Sequence, residues 1–236
     1  MEEFLNKRKS RLVAVSLLII LSVVVIFAGS RLYSQYREQV IRTEESQLLT
    51  MAGIVGNNLN SYMEQQLEEI DLFYSQEGMP ENVWAESGGI NARTAYFLKN
   101  NAGVYNWITV TEPDGTKFRY EPGKKTFRES ADGEVKAVDS QDGNHPAEIT
   151  GKEISDQTGW YELYIEKNVP VGSEVYVLTF AMDLGALYEK IVAPVKIGEA
   201  GYSSVKDQNM NIIMHHVKNQ IGLKAVDGRI ERYPYL

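Results

Sequence analysis

The binding chemistry of this sequence resides in Tyr105, Trp107, Arg119, Tyr120, Arg128, Trp160 and Tyr164, aromatic and cationic residues scattered through 60 positions. Aromatic faces stack on flat or cationic groups and guanidinium forks pair with carboxylates, so this set describes a pocket for a small molecule with an anionic part. At every aromatic position the competing role is core packing or a cross-strand pair. Catalysis has no comparable signature: G-x-S-x-G, H-E-x-x-H, a Walker-type glycine loop and a dinucleotide fingerprint are all missing from the sequence. Of the three histidines, His145 precedes a proline, while the adjacent His215 and His216 would face opposite sides of a strand, a poor geometry for a metal. Asp139 to Asn144 approaches a calcium loop, but its oxygen ligands are out of register, which leaves a solvated turn. No catalytic residue, metal or cofactor is assigned.

Positioning those side chains requires strands. Val104, Asn106, Ile108 and Val110 alternate with Tyr105, Trp107, Thr109 and Thr111, Pro113-Asp114-Gly115 turns the chain, and Lys117 to Tyr120 returns it as a hairpin. If Val104, Ile108 and Val110 face a helix, Tyr105 and Trp107 face away from it. Pro122 to Gly159 is rich in Gly, Asp, Ser and Lys and lacks periodicity, as expected of disorder or of loops over a site. Strands resume at Trp160 to Lys167 and Glu174 to Met182, joined by Val169-Pro170-Val171-Gly172. A short helix, Leu184 to Val192, follows, with Asp183 placed as its N-cap; another helix is expected from Asn91 to Lys99.

Upstream lies an uncharged run, Leu12 to Ser30, flanked by Arg11 and Arg31 and long enough to cross a hydrocarbon core of ~30 Å. Lys7, Arg8, Lys9 and Arg11 crowd its amino-terminal side, so the positive-inside rule keeps residues 1–11 cytoplasmic and exports the rest. Ala28-Gly29-Ser30 would suit a signal peptidase, but the run exceeds a typical h-region and a charged helix continues from it; a retained anchor is favoured over a cleaved leader. Residues 31–75 lack proline and carry one apolar stripe through Leu48, Ala52, Val55, Leu59, Tyr62, Ile70 and Phe73, interrupted by Gln66. This predicts a stalk that becomes a core helix, pairing two chains near the membrane into a homodimer.

Charge narrows the partners. Removing the first 31 residues takes away five basic and two acidic side chains, leaving 19 basic against 30 acidic, a net −11 that disfavours nucleic acid. With no cysteine, the exported part has neither disulfides nor thiolate chemistry and depends on its core.

The order of helix, two strands, irregular segment, two strands and helix resembles the extracytoplasmic double Cache sensor domains, relatives of the PAS fold. The most specific stretch runs from Val195-Lys196-Ile197-Gly198-Glu199-Ala200-Gly201-Tyr202 to Asp207, then Ile212 to His216 and Ile221-Gly222. There the membrane-proximal module of such domains opens with a glycine-tyrosine pair, an aspartate at the turn and a strand ending in histidine. The usual His-Pro reads His215-His216 here, and Asp207-Gln208-Asn209-Met210 has no glycine. The resemblance implies an α+β fold divided into a cytoplasmic tail (1–11), a transmembrane helix (12–30), a long helix (31–75), a membrane-distal module (76–193) and the start of a membrane-proximal module (194–236), the chain ending inside the latter. It implies a small-molecule sensor of a signal transducer, of the histidine kinase, diguanylate cyclase or chemoreceptor type, with an amino acid, amine or carboxylate as ligand. Asp183 matches the aspartate that binds the ligand amine in amino-acid sensors, although the Arg-x-Trp-Tyr run of those proteins is missing after Arg128 and an N-cap role is favoured. The alternatives are a surface ectodomain that binds a partner and an anchored hydrolase.

Overall fold

The computed structural model describes residues 2–75, 89–124, 127–129, 145–196, 201–226 and 229–230, with side chains placed for 16–75, 89–124, 145–196 and 201–225. Two compact units divide the chain, residues 1–54 and 55–236. The long helix α1 (Glu2–Tyr74) supplies the first unit and opens the second. In the first unit every described side chain from Ser16 to Ile54 is exposed. Among the described residues this is the one helix long and apolar enough to cross a membrane by length and composition.

The second unit is α+β. Its six-stranded antiparallel sheet has the order β3-β2-β1-β6-β5-β4, formed by β1 (Tyr105–Thr111), β2 (Lys117–Tyr120), β3 (Phe127–Glu129), β4 (Glu148–Ile154), β5 (Tyr161–Val171) and β6 (Glu174–Asp183). Helix α2 (Gly89–Asn100) precedes β1. A row of aligned residues, Tyr120, Ile108, Phe180 and Ile165, crosses four strands and is buried in one core with Ile70 and Tyr74 of α1 and Phe97 of α2. Residues 55–74 of α1 thus cover one sheet face, burying the lower half of the sequence's apolar stripe.

The segment from Pro122 to Gly159, expected to be irregular, contains β3 and β4. Strand β4 was hidden from a periodicity reading because it is an edge strand, exposed at all positions but Gly151, and a bulge between Ile149 and Gly151 breaks its register with β5. The expected solvated turn at Asp139 to Asn144 lies outside the described residues. Strand β5 also runs through Pro170, which stands beyond the last β4 pair, where the missing N–H deprives no neighbour.

After β6, α3 (Leu184–Leu187) continues into a π-turn, Tyr188–Val192. Strands β7 (Val205–Lys206) and β8 (Ile212–Met214) follow, then a 3-10 turn at Lys218–Gln220 and the pair β9 (Ala225–Val226) and β10 (Arg229–Ile230). A second core joins Val55, Trp160, Leu187, Tyr188, Met214 and Ile221. The turn before β8 does without glycine: Met210 takes a left-handed φ of 66°, and the Asp207 carboxylate accepts from the backbone of Asn209 and Asn211 to hold it.

Candidate functional site

On the sheet face opposite the helices, alternate residues of adjacent strands converge. Trp107 of β1 and Tyr164 of β5 both pair across Ala181 of β6, whose methyl leaves room for their rings to meet at 5.6 Å between centroids. The Arg119 guanidinium lies 4.3 Å from the Trp107 ring centroid, and its Nε donates to Glu121 Oε1 at 3.1 Å. Glu162, two residues before Tyr164 and only 6% exposed, accepts from Trp107 Nε1 at 3.1 Å and from Asn106 Nδ2 at 2.8 Å. The Tyr164 hydroxyl donates to Glu153, and its pKa is pushed up to about 12 by desolvation, with the Glu153 carboxylate next in weight.

Asp183 is the cross-strand partner of Glu162. Its carboxylate caps α3, accepting from the Gly185 N–H at 2.8 Å, which bears out the N-cap expectation. Burial, followed by the negative charge of Glu162, pushes its pKa above the usual carboxylate range, against the downward pull of the capping N–H groups. Beside it opens a cleft of about 130 Å³ lined by Tyr62, Gly103, Met182, Ala186 and Lys190, whose ammonium sits 4.4 Å from the Tyr62 ring centroid.

The residues expected to gather here separate. Trp107, Arg119 and Tyr164 come together, with Asp183 joined to them through Glu162. Tyr105 does not face away from the helix. A bulge between Tyr105 and Trp107 inserts an extra residue, so Tyr105 opposes Met182 and turns into the core, where its hydroxyl donates to Gln66 Oε1 at 3.1 Å. Tyr120 shares the face of Ile108 and donates to Asn91 Oδ1 at 2.6 Å; burial raises its pKa to about 12. Trp160 lies in the second core, its indole 5.2 Å from the Tyr188 ring and against Gly185, where a Cβ would come within 2.7 Å of the ring. Arg128 is on β3, paired with Phe118, and its side chain lies outside the described residues.

Glu162 and Asn106 were missed by sequence reasoning. For Glu162 the signal was present, since period two puts it on the face of Tyr164; Asn106 reaches the site from the bulge itself. The strand condition on the histidines is not met: β8 ends at Met214, so His215 and His216 do not alternate across a strand, and their ring centroids are 4.5 Å apart. Among the described residues no group of three or more His, Cys, Asp or Glu is arranged to hold a metal ion.

As a whole the face offers two aromatic rings between a guanidinium and a pair of neighbouring carboxylates. Chemically, aromatic faces of this kind can stack on a flat or cationic group, a guanidinium can pair with an anion and carboxylates with a cation.

No protein-family model matches the chain, and neither does any curated protein sequence. Solved structures do match in fold. The ligand-binding domain of Mlp24 with asparagine is 15% identical, covers 82% of this chain and 86% of that one, and has a TM-score of 0.52. A domain of a sensory box/GGDEF family protein from Vibrio parahaemolyticus is 14% identical over 76% of this chain and 74% of that one, with a TM-score of 0.52. The extracellular domain of the histidine kinase vpHK1S-Z8 is 12% identical over 76% and 71% of the two chains, with a TM-score of 0.51. At these identities the likeness concerns the fold alone, an α+β architecture of helices against an antiparallel sheet.

Proposed function

We propose that this chain is the extracytoplasmic, small-molecule-sensing region of a membrane-bound signal transducer, anchored through the apolar part of α1. The observation that carries the reading is the convergence of Trp107, Tyr164, Arg119 and Glu162 on the sheet face that the helices leave uncovered. The ligand class follows from the charges: the carboxylates of Glu162 and Asp183 suit an amine, and Arg119 suits a carboxylate, so an amino acid or a related small amine or acid fits best. Asparagine in the Mlp24 domain is consistent with that choice. The division at residues 193 and 194 into a membrane-distal module and the start of a second one belongs to the same proposal, as does pairing of two chains through α1.

The test is a thermal-shift screen of the full chain in detergent against amino acids, amines and small carboxylates, repeated on Trp107→Ala. A ligand is expected to raise the melting temperature of the unsubstituted protein. Trp107→Ala should weaken its binding by about 1–3 kcal/mol while the chain stays folded, the scale of a lost stacked aromatic contact. Unchanged binding, or a variant that no longer folds, would assign Trp107 to structure and move the site elsewhere.

A further inference from the structure

His215 is 3% exposed and follows directly on β8, in the segment whose Met214 and Ile221 pack into the second core with Trp160 and Tyr188. Its Nδ1 accepts the backbone N–H of Val217 at 3.0 Å, the bond that closes the turn leaving the strand. A neutral imidazole that accepts at Nδ1 carries its proton on Nε2. Adding a second proton must therefore occur at Nδ1, placing N–H against N–H and breaking the bond to Val217.

The surroundings oppose the charge as well. Tyr202, in the stretch before β7, meets both imidazoles, its ring edge-on to His215 at 4.8 Å and 3.9 Å from His216. It provides a neutral phenol rather than a counter-ion. The charged neighbours that bear on His215 are His216 and Lys206 of β7, both cationic when protonated. Asp207 is next to Lys206 in sequence, but its carboxylate is taken up by Lys152 of β4 at 2.6 Å and by the Asn209 and Asn211 groups of its own turn.

We propose that His215 is an acid-operated latch: neutral, it closes the turn after β8 onto the second core, and protonated, it releases that turn. The sign of the pH dependence follows from burial first, then from the two cations, which together hold the pKa of His215 below the usual histidine value. An unfolded or opened segment then takes up the proton more readily than the closed one. The latch is fully effective above the ordinary histidine pKa of ~6.5 and weakens as the pH falls below it, by up to about tenfold in the closing equilibrium per pH unit, until the closed form titrates too.

Hydrogen exchange of the full chain in detergent, without ligand and corrected for intrinsic exchange, tests this between about pH 7.5 and about pH 5.5. Protection of residues 212–217 should fall by up to about tenfold per pH unit in the unsubstituted protein. In His215→Asn, whose Oδ1 stands close to the position of Nδ1 and does not titrate, protection should be independent of pH. A pH-independent segment in the unsubstituted protein, or a response that survives His215→Asn, would overturn the latch. Should the variant not fold, the titration of isotope-labelled histidines in the unsubstituted protein decides the matter. An Nε2-protonated His215 with a midpoint below ~6.5 supports the latch, and an ordinary or raised midpoint removes it. No step depends on the sheet-face ligand, so this result stands apart from the outcome of the ligand screen.

Discussion

A single inserted residue decides which aromatic of β1 stays on the sheet face that the helices leave uncovered. Alternation alone places Tyr105 and Trp107 on one face; the bulge at Asn106 sends Tyr105 to the helices and leaves Trp107 on the open face. The buried Tyr105 hydroxyl also accounts for Gln66, the polar residue that interrupts the apolar stripe of α1 and is only 4% exposed. Tyr105→Phe leaves the Gln66 carbonyl without this donor in the core, so a loss of about 1–3 kcal/mol is expected in urea unfolding, with ligand affinity unchanged. A variant of normal stability that no longer binds ligand would return Tyr105 to the site.

Among the elements, α1 divides its apolar stripe between two uses. From Val55 to Tyr74 the stripe is buried or half-buried against the sheet and the second core, whereas Leu48 and Ala52 are exposed in the first unit. A homodimer formed by α1 would therefore use the upper stripe, and single cysteines from Gln39 to Ile54 should crosslink with a helical period while those at Val55 and Leu59 should not. A profile without periodicity would count against pairing through this helix. The π-turn at Tyr188–Val192 and the flat seat of Trp160 on Gly185 are element-scale features as well, and neither left a trace in hydrophobic periodicity.

For the whole molecule, topology is the expectation most open to direct measurement. The uncharged run with its basic leading edge predicts that a reporter fused after Gly222 is active only in an extracytoplasmic form. Activity of a cytoplasm-specific reporter at that position would overturn the sensor reading together with the membrane orientation. Strands β5 and β6 connect the two cores: Ile165, Leu178 and Phe180 of the strands pack in the first, while Trp160, just before β5, and Leu184, just after β6, enter the second.

What the sequence determined by itself was local or compositional. The long apolar helix, the hairpin of β1 and β2, the helix at 89–100, the β5–β6 pair and the Asp183 cap were legible because each depends on a short-range pattern: a run of uncharged residues, period two, a turn tripeptide or a capping side chain. The tertiary structure alone decided which side chains meet. Edge position hid β4, bulges in β1 and β4 broke the alternation of faces across them, and the end of β8 at Met214 brought two histidines together that a strand would have held apart. A period-two pattern fixes faces only while the register is unbroken, and one inserted residue, set by pairing with a distant strand, reverses every assignment beyond it.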